Sequence, residues 1–207
     1  LLADEEAPVD EATAPEANAS DEISFSGGSS SIVLREGREN VVLSDGATVT
    51  VGSMAISADT ITLSGDNWRY VSCSGTTSVS DPERGITIRT SGIWYDRIDE
   101  RILISSWFEI DDTVNEVSAT GASLEYRLSD ERLQMDKSVS LQKSTDSGIM
   151  RCQAESVIFS RVENTLTLRG NASVNWGGDR YGAEVISVDL DTDSISLEGR
   201  ITGNING

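Results

Sequence analysis

From Ile23 onward, apolar and polar residues alternate in short runs broken by Gly, Asn and Asp, and no long helical period interrupts them. Alternation of this kind gives a strand one apolar and one polar face. The chain therefore reads as all-β with many short strands. The alternation also recurs. A small residue is followed three positions later by an apolar residue, and five positions later by an apolar or aromatic one. The copies are Ser29/Ile32/Leu34, Ala58/Ile61/Leu63, Thr90/Ile93/Tyr95, Gly121/Leu124/Tyr126, Ala154/Val157/Phe159 and Ala183/Ile186/Val188. They recur with a period of roughly 30 residues, within the range of repeat architectures.

A second element follows each copy. It places apolar residues at alternate positions on both sides of a pivot, as in Leu166/Leu168, Gly170, Ala172/Val174 and in Ile102/Ile104, Ser106, Phe108/Ile110. The pivots Asp45, Gly75, Ser106, Lys137, Gly170 and Gly199 recur at nearly the same interval as the first element. Two independent markers thus keep one period, the signature of a repeat architecture. Between the elements lie turn-prone stretches: Arg35–Asn40, Ser64–Asn67, Asp96–Glu100, Ser129–Glu131, Arg161–Asn164 and Asp191–Asp193. Each unit is strand–turn–strand, and six units predict at least 12 strands. The rows Ile32, Ile61, Ile93, Leu124, Val157, Ile186 and Leu34, Leu63, Tyr95, Tyr126, Phe159, Val188 are expected to stack along one interior; ordinary core residues would do the same.

The segment 1–22 stands apart, with eight acids, no bases and no apolar period. It reads as a disordered, self-repelling lead-in before a domain spanning residues 23–207. Composition then narrows the function. Of 207 residues, 35 are acidic and 16 basic, for a formal charge of -19; the body without the lead-in carries about -11, from 27 acids and 16 bases. Such a chain has no electrostatic attraction for nucleic acid or an anionic membrane surface. It has no histidine, so imidazole catalysis and His–metal sites are excluded. No run of 18 apolar residues is present to form a membrane-spanning helix. The chain opens on Leu1-Leu2-Ala3 without Met, which reads as the remnant of a removed export signal or as a trimmed chain.

Ser57-Ala58-Asp59-Thr60-Ile61-Thr62-Leu63, Leu166-Thr167-Leu168-Arg169-Gly170-Asn171-Ala172-Ser173-Val174, Gly182–Leu190 and Ile195-Ser196-Leu197-Glu198-Gly199 together resemble the OstA-like (LptA) family of periplasmic lipopolysaccharide-transport proteins. That family repeats a small-Asp-x-apolar-x-aromatic strand, a turn, then apolar-x-apolar-x-Gly-Asn-Val. The likeness covers residues 23–204, although only Gly170-Asn171 keeps the Gly-Asn pair. It implies a β-jellyroll-like open sandwich, a periplasmic location, and a non-catalytic bridge carrying lipopolysaccharide or another glycolipid to the outer membrane. The lipid-binding residues it implies are the twelve of the two rows above. It further implies head-to-tail association through strand edges, and partners of the same fold at the inner and outer membranes. No cofactor or metal is implied. Family members of the inner membrane carry an anchor, so the bridge component is the better match.

Two readings from other classes stand beside this one. A structural or carbohydrate-binding β-repeat protein would fill its interior completely. A carbohydrate-acting enzyme would need a carboxylate pair, and none stands out among the 35 acids. Asp189-Leu190-Asp191-Thr192-Asp193 begins like a calcium loop, but Ser194 and Arg200 occupy the positions that need Gly and an acid. Asp99-Glu100 and Asp111-Asp112 read as ordinary turn acids, and Gly27-Gly28 and Gly177-Gly178 as loop signals. Cys73 and Cys152 lie five strands apart in a meander, about 24 Å in a flat sheet and about 10 Å even across two sheets. Both distances exceed disulfide reach, so buried free thiols are expected. Trp94 and Trp107 fall on the face opposite the interior rows, and Trp68 and Trp176 near turns.

Overall fold

The computed structural model describes residues 22–34 and 39–206. The acidic lead-in, apart from Glu22, and the first predicted turn at 35–38 lie outside them. Among the described residues, sixteen strands form a single antiparallel sheet. They are best understood as twelve long strands, each bent once. The first is β1 (Ile23–Ser26) continued by β2 (Ser29–Val33). Then come β3 (Asn40–Val51), β4 (Met54–Ser64), β5 (Tyr70–Asp81) and β6 (Ile86–Asp96), with a one-turn 3₁₀ segment at Asp66–Trp68. Two broken strands follow: β7 (Arg101–Ile104) with β8 (Phe108–Asp112), and β9 (Val117–Gly121) with β10 (Ser123–Arg127). The rest are β11 (Arg132–Thr145), β12 (Gly148–Ser160), β13 (Thr165–Trp176), β14 (Asp179–Asp189), and finally β15 (Ser194–Glu198) continued by β16 (Thr202–Asn204).

The bends explain the two repeat markers. Between β3 and β4 the pairing runs Leu43↔Ile61 and then Ala47↔Ala58. One strand thus advances four positions between inward side chains while its partner advances three. This two-against-one count is a β-bulge. The same offset separates Asp136/Val139 from Ser156/Ala154, and Arg169/Ala172 from Val185/Ala183. The small residue with its apolar partner three positions later is therefore the single-residue side of a bulge, and the pivot lies on the two-residue side. Because the bulges align across the sheet, the whole sheet turns one corner.

The two halves face each other as layers. One holds β2, β7, β10 and β15 with the adjoining halves of the long strands; the other holds β1, β8, β9 and β16 with the remaining halves. Apolar side chains from both form one continuous core from Val41 to Leu190. The corner closes one long side of this sandwich. The opposite side, where the hairpin turns lie, is its mouth.

Candidate functional site

Ten of the twelve row residues lie in the core between the layers, with exposures from 0% at Ile61, Val157 and Ile186 to 5% at Ile93. The other two, Ile32 at 51% and Leu34 at 74%, are exposed. They belong to or follow β2, which among the described residues has a neighbour on one side only, and none of those residues covers their inner surface. Phe25 on β1 is likewise 47% exposed. At the other end Ile195 and Leu197 on β15 are half-buried, and Ile201 is 59% exposed. The apolar stripe therefore runs the length of the molecule and emerges at both end strands. At the β15 end a cavity of about 420 Å³ lies between the layers, lined by Trp176, Tyr181, Ile195 and Leu197.

The corner is held by backbone geometry. Gly75 has φ 85°, Gly170 φ 76° and Gly199 φ 69°, values that side-chain-bearing residues avoid. Over each glycine lies the acid on the facing strand: Asp59, Glu155 and Glu184. Asp59 accepts the Thr76 amide at 2.8 Å, and Glu184 accepts from Arg200 Nε at 2.6 Å.

The mouth is held by side chains. In the inward rows Leu124-x-Tyr126-x-Leu128 and Ile186-x-Val188-x-Leu190, a leucine completes the alternation; in Val157-x-Phe159-x-Arg161 the same place is taken by an arginine, which is buried. Its Nε donates to Asp112 Oδ2 at 2.6 Å, its Nη1 to Glu131 Oε2 at 2.7 Å and its Nη2 to the Arg84 carbonyl at 2.6 Å. Arg161 and Glu131 belong to turns of one layer, Asp112 and Arg84 to turns of the other, so this cluster clasps the layers together. Asp112 is a turn acid, accepting the Val114 and Asn115 amides at 3.1 and 3.0 Å, and in addition one of the anchors of this cluster. Asp81 extends the cluster, accepting from Arg84 Nη1 at 2.8 Å and Ser53 Oγ at 2.9 Å. Burial works to raise the Asp81 pKa, but these hydrogen bonds outweigh it and hold the carboxyl below its ordinary value. Beneath the clasp, burial pushes the Tyr126 phenol up to about 12, and its Oη has no hydrogen-bond partner among the described residues.

Beside the clasp, a 230 Å³ opening is bordered by Ser53, Arg84, Tyr95, Arg97 and Leu128 of both layers. Asp96, on the same rim, accepts from Arg69 Nε at 2.9 Å and from Arg69 Nη2 at 2.6 Å; Arg69 is the main cause holding its pKa low, against a smaller opposing effect of burial.

Other candidate groups have structural partners. Asp189 Oδ1 accepts the amides of Asp191 and Thr192, so the calcium-like sequence forms a hairpin turn. Cys73 and Cys152 are buried free thiols in opposite layers, and burial raises each to about 12, which leaves them unreactive. Trp94 stacks on Tyr70 with centroids 5.3 Å apart. Trp107 is half-exposed, and Trp68 and Trp176 pack against the core.

No family model and no curated protein matches the chain. Among solved structures, a similar one is the crystal structure of LptH from Pseudomonas aeruginosa, described as the LptA-homologous periplasmic component of the conserved lipopolysaccharide transport device. The two are 16% identical over 91% of this chain and 99% of that one, with a TM-score of 0.30. A score of that size carries no argument, and the all-β antiparallel architecture stands on the strand registers of this chain.

Proposed function

We propose that the protein is a non-catalytic periplasmic lipid carrier, shielding the acyl chains of lipopolysaccharide or a related glycolipid between its two layers and passing them along a file of like-folded partners. The carrying observation is the apolar stripe that emerges at both end strands, with Phe25, Ile32 and Leu34 exposed at one and Ile201 at the other. Leaving a chain of a dozen methylenes in water costs on the order of 10 kcal/mol, so a continuous apolar slab is sufficient without metal or nucleotide. The end strands also match in polarity. The first bent strand runs from the mouth of the β1 layer over the corner into the β2 layer, and the last runs the opposite way. One copy's β15–β16 edge can therefore pair antiparallel with the next copy's β1–β2 edge, so that the apolar slabs join.

One observation favours a second reading. The side chains between the layers are packed closed, as in a structural β-repeat protein. In the carrier reading an acyl chain enters only where the layers part, at the ends or at the mouth. Native mass spectrometry of the protein incubated with lipopolysaccharide separates the two readings. The carrier retains lipid adducts that vanish with Leu124→Asp in a variant that remains folded, because the new charge enters the apolar slab. A protein that acquires no adduct under any loading condition is the packed scaffold.

A further inference from the structure

The corner at the β14–β16 end holds a cleft of about 880 Å³ whose charged lining is Arg169, Arg180, Arg200 and Glu184. Glu184 is engaged by Arg200 at 2.6 Å. Arg169 and Arg180 are exposed and make no ion pair among the described residues. The lining thus carries a local charge of about +2, from three arginines and one acid, on a chain of formal charge -19. The segment 1–22, which ends next to β1, holds eight acids and no base.

We infer that the acidic lead-in of one copy docks in the arginine cleft of the next copy in the file. This rests on the end-to-end pairing proposed above. Distance decides between binding in the same copy and binding in the next. Twelve bent strands place the two ends of one sheet about 53 Å apart, at about 4.8 Å per strand. A flexible coil of the lead-in's length has a root-mean-square span of about 26 Å, half that distance, so its own cleft is reached only by extended conformations. In the file, β1 of one copy lies against β16 of the other, and β16 pairs with β14 at Arg180↔Asn204. The lead-in then begins within a few strand spacings of the cleft, where its local concentration favours binding. Carboxylates against Arg169 and Arg180 form charge-assisted, fork-shaped hydrogen bonds. They also offset the repulsion between two strongly negative bodies, so the lead-in marks which end joins which.

Sedimentation equilibrium of the full chain tests this. At low salt the protein associates, and Arg169→Glu with Arg180→Glu weakens association about tenfold. Replacing Glu5, Glu6, Asp10 and Glu11 by Lys weakens it similarly, and combining both sets in one chain restores it. Rising salt weakens association of the parent chain. Without docking, screening would strengthen it instead. If both charge reversals leave association unchanged while Thr202→Pro abolishes it, the docking is wrong and edge pairing stands. If the parent chain is monomeric at every concentration, the file and the docking fall together. If the reversals change only the radius of a monomer, the lead-in binds its own copy, and the inference is overturned.

Discussion

The corner and the mouth are opposite long sides of one sandwich, bounded by the same twelve strands, and they are closed by different physics. At the corner the closure is covalent chain, bent at bulges by glycines such as Gly75, Gly170 and Gly199 with φ between 69° and 85°. At the mouth no backbone of the described residues crosses from layer to layer; side chains do, chiefly Arg161 to Asp112. A bulge cannot open without breaking ladder hydrogen bonds along the strands. A clasp opens by releasing one ionic cluster. Motion that parts the layers therefore belongs to the mouth, with the corner as its hinge.

Arg161→Ala is the severest way to break this comparison. It leaves Asp112 buried without its cation, and removing one member of a buried pair costs about 3–5 kcal/mol. Chemical denaturation should show a loss of that size, together with increased binding of an apolar dye as the layers part. A loss below about 1 kcal/mol, the range of an exposed pair, would mean that the apolar slab alone closes the mouth.

Gly75→Ala probes the corner. Its added Cβ would lie 2.6 Å from Asp59 Cβ, at a φ of 85°. Strain of this kind costs about 1–3 kcal/mol. The expected signature is a lower denaturation midpoint without gain in dye binding, because the hinge is strained while the clasp stays shut. Equal dye binding by the Arg161 and Gly75 variants would erase the distinction between the two sides.

Acid acts on the turns along the mouth. The folded-state pKa values of Asp81 and Asp96 lie below the ordinary carboxylate value. Their stabilisation is complete above the unfolded-state pKa of about 4 and is lost as pH falls through the lower folded values. Unfolding free energy should hold steady from neutrality to about pH 5 and decline below about pH 4. Asp96→Asn should flatten that decline, and an unchanged profile would remove Asp96 from the account.

The smallest effect belongs to the outer face. Arg89 pairs with Glu109 at 2.9 Å, with both side chains at least 40% exposed. Arg89→Ala should change stability by less than about 0.5 kcal/mol. A larger loss in thermal unfolding would show that the outer face shares in closing the sandwich.

The period of the repeat made the hairpin count and the inward rows legible, since alternation and turn residues are local signals. The bulges were legible as spacing before they were legible as shape. Ile61 lies three positions after Ala58 and Ala47 four after Leu43, and only the register between strands turns that mismatch into a corner. Ile32 and Leu34 fit the interior pattern but lie at a sheet end, and end position is a property of topology. The clasp was missed because turn charges are common. Its signal was nevertheless present. Arg161 and Asp112 extend inward alternations, after Val157 and Phe159 and after Phe108 and Ile110, at points where Leu128 and Leu190 show that an apolar residue also fits.

The strand count itself has a consequence for how such a molecule can change size. The twelve bent strands of the described residues are an even number, so the first and last of them run in opposite senses and the two rims differ in polarity. Duplicating one hairpin unit lengthens the body by two strand spacings, about 10 Å, and leaves that polarity intact. Gaining or losing a single strand would reverse one rim, so that two such rims could meet only in parallel. A change of length that keeps this polarity therefore comes in whole hairpins and in no smaller step.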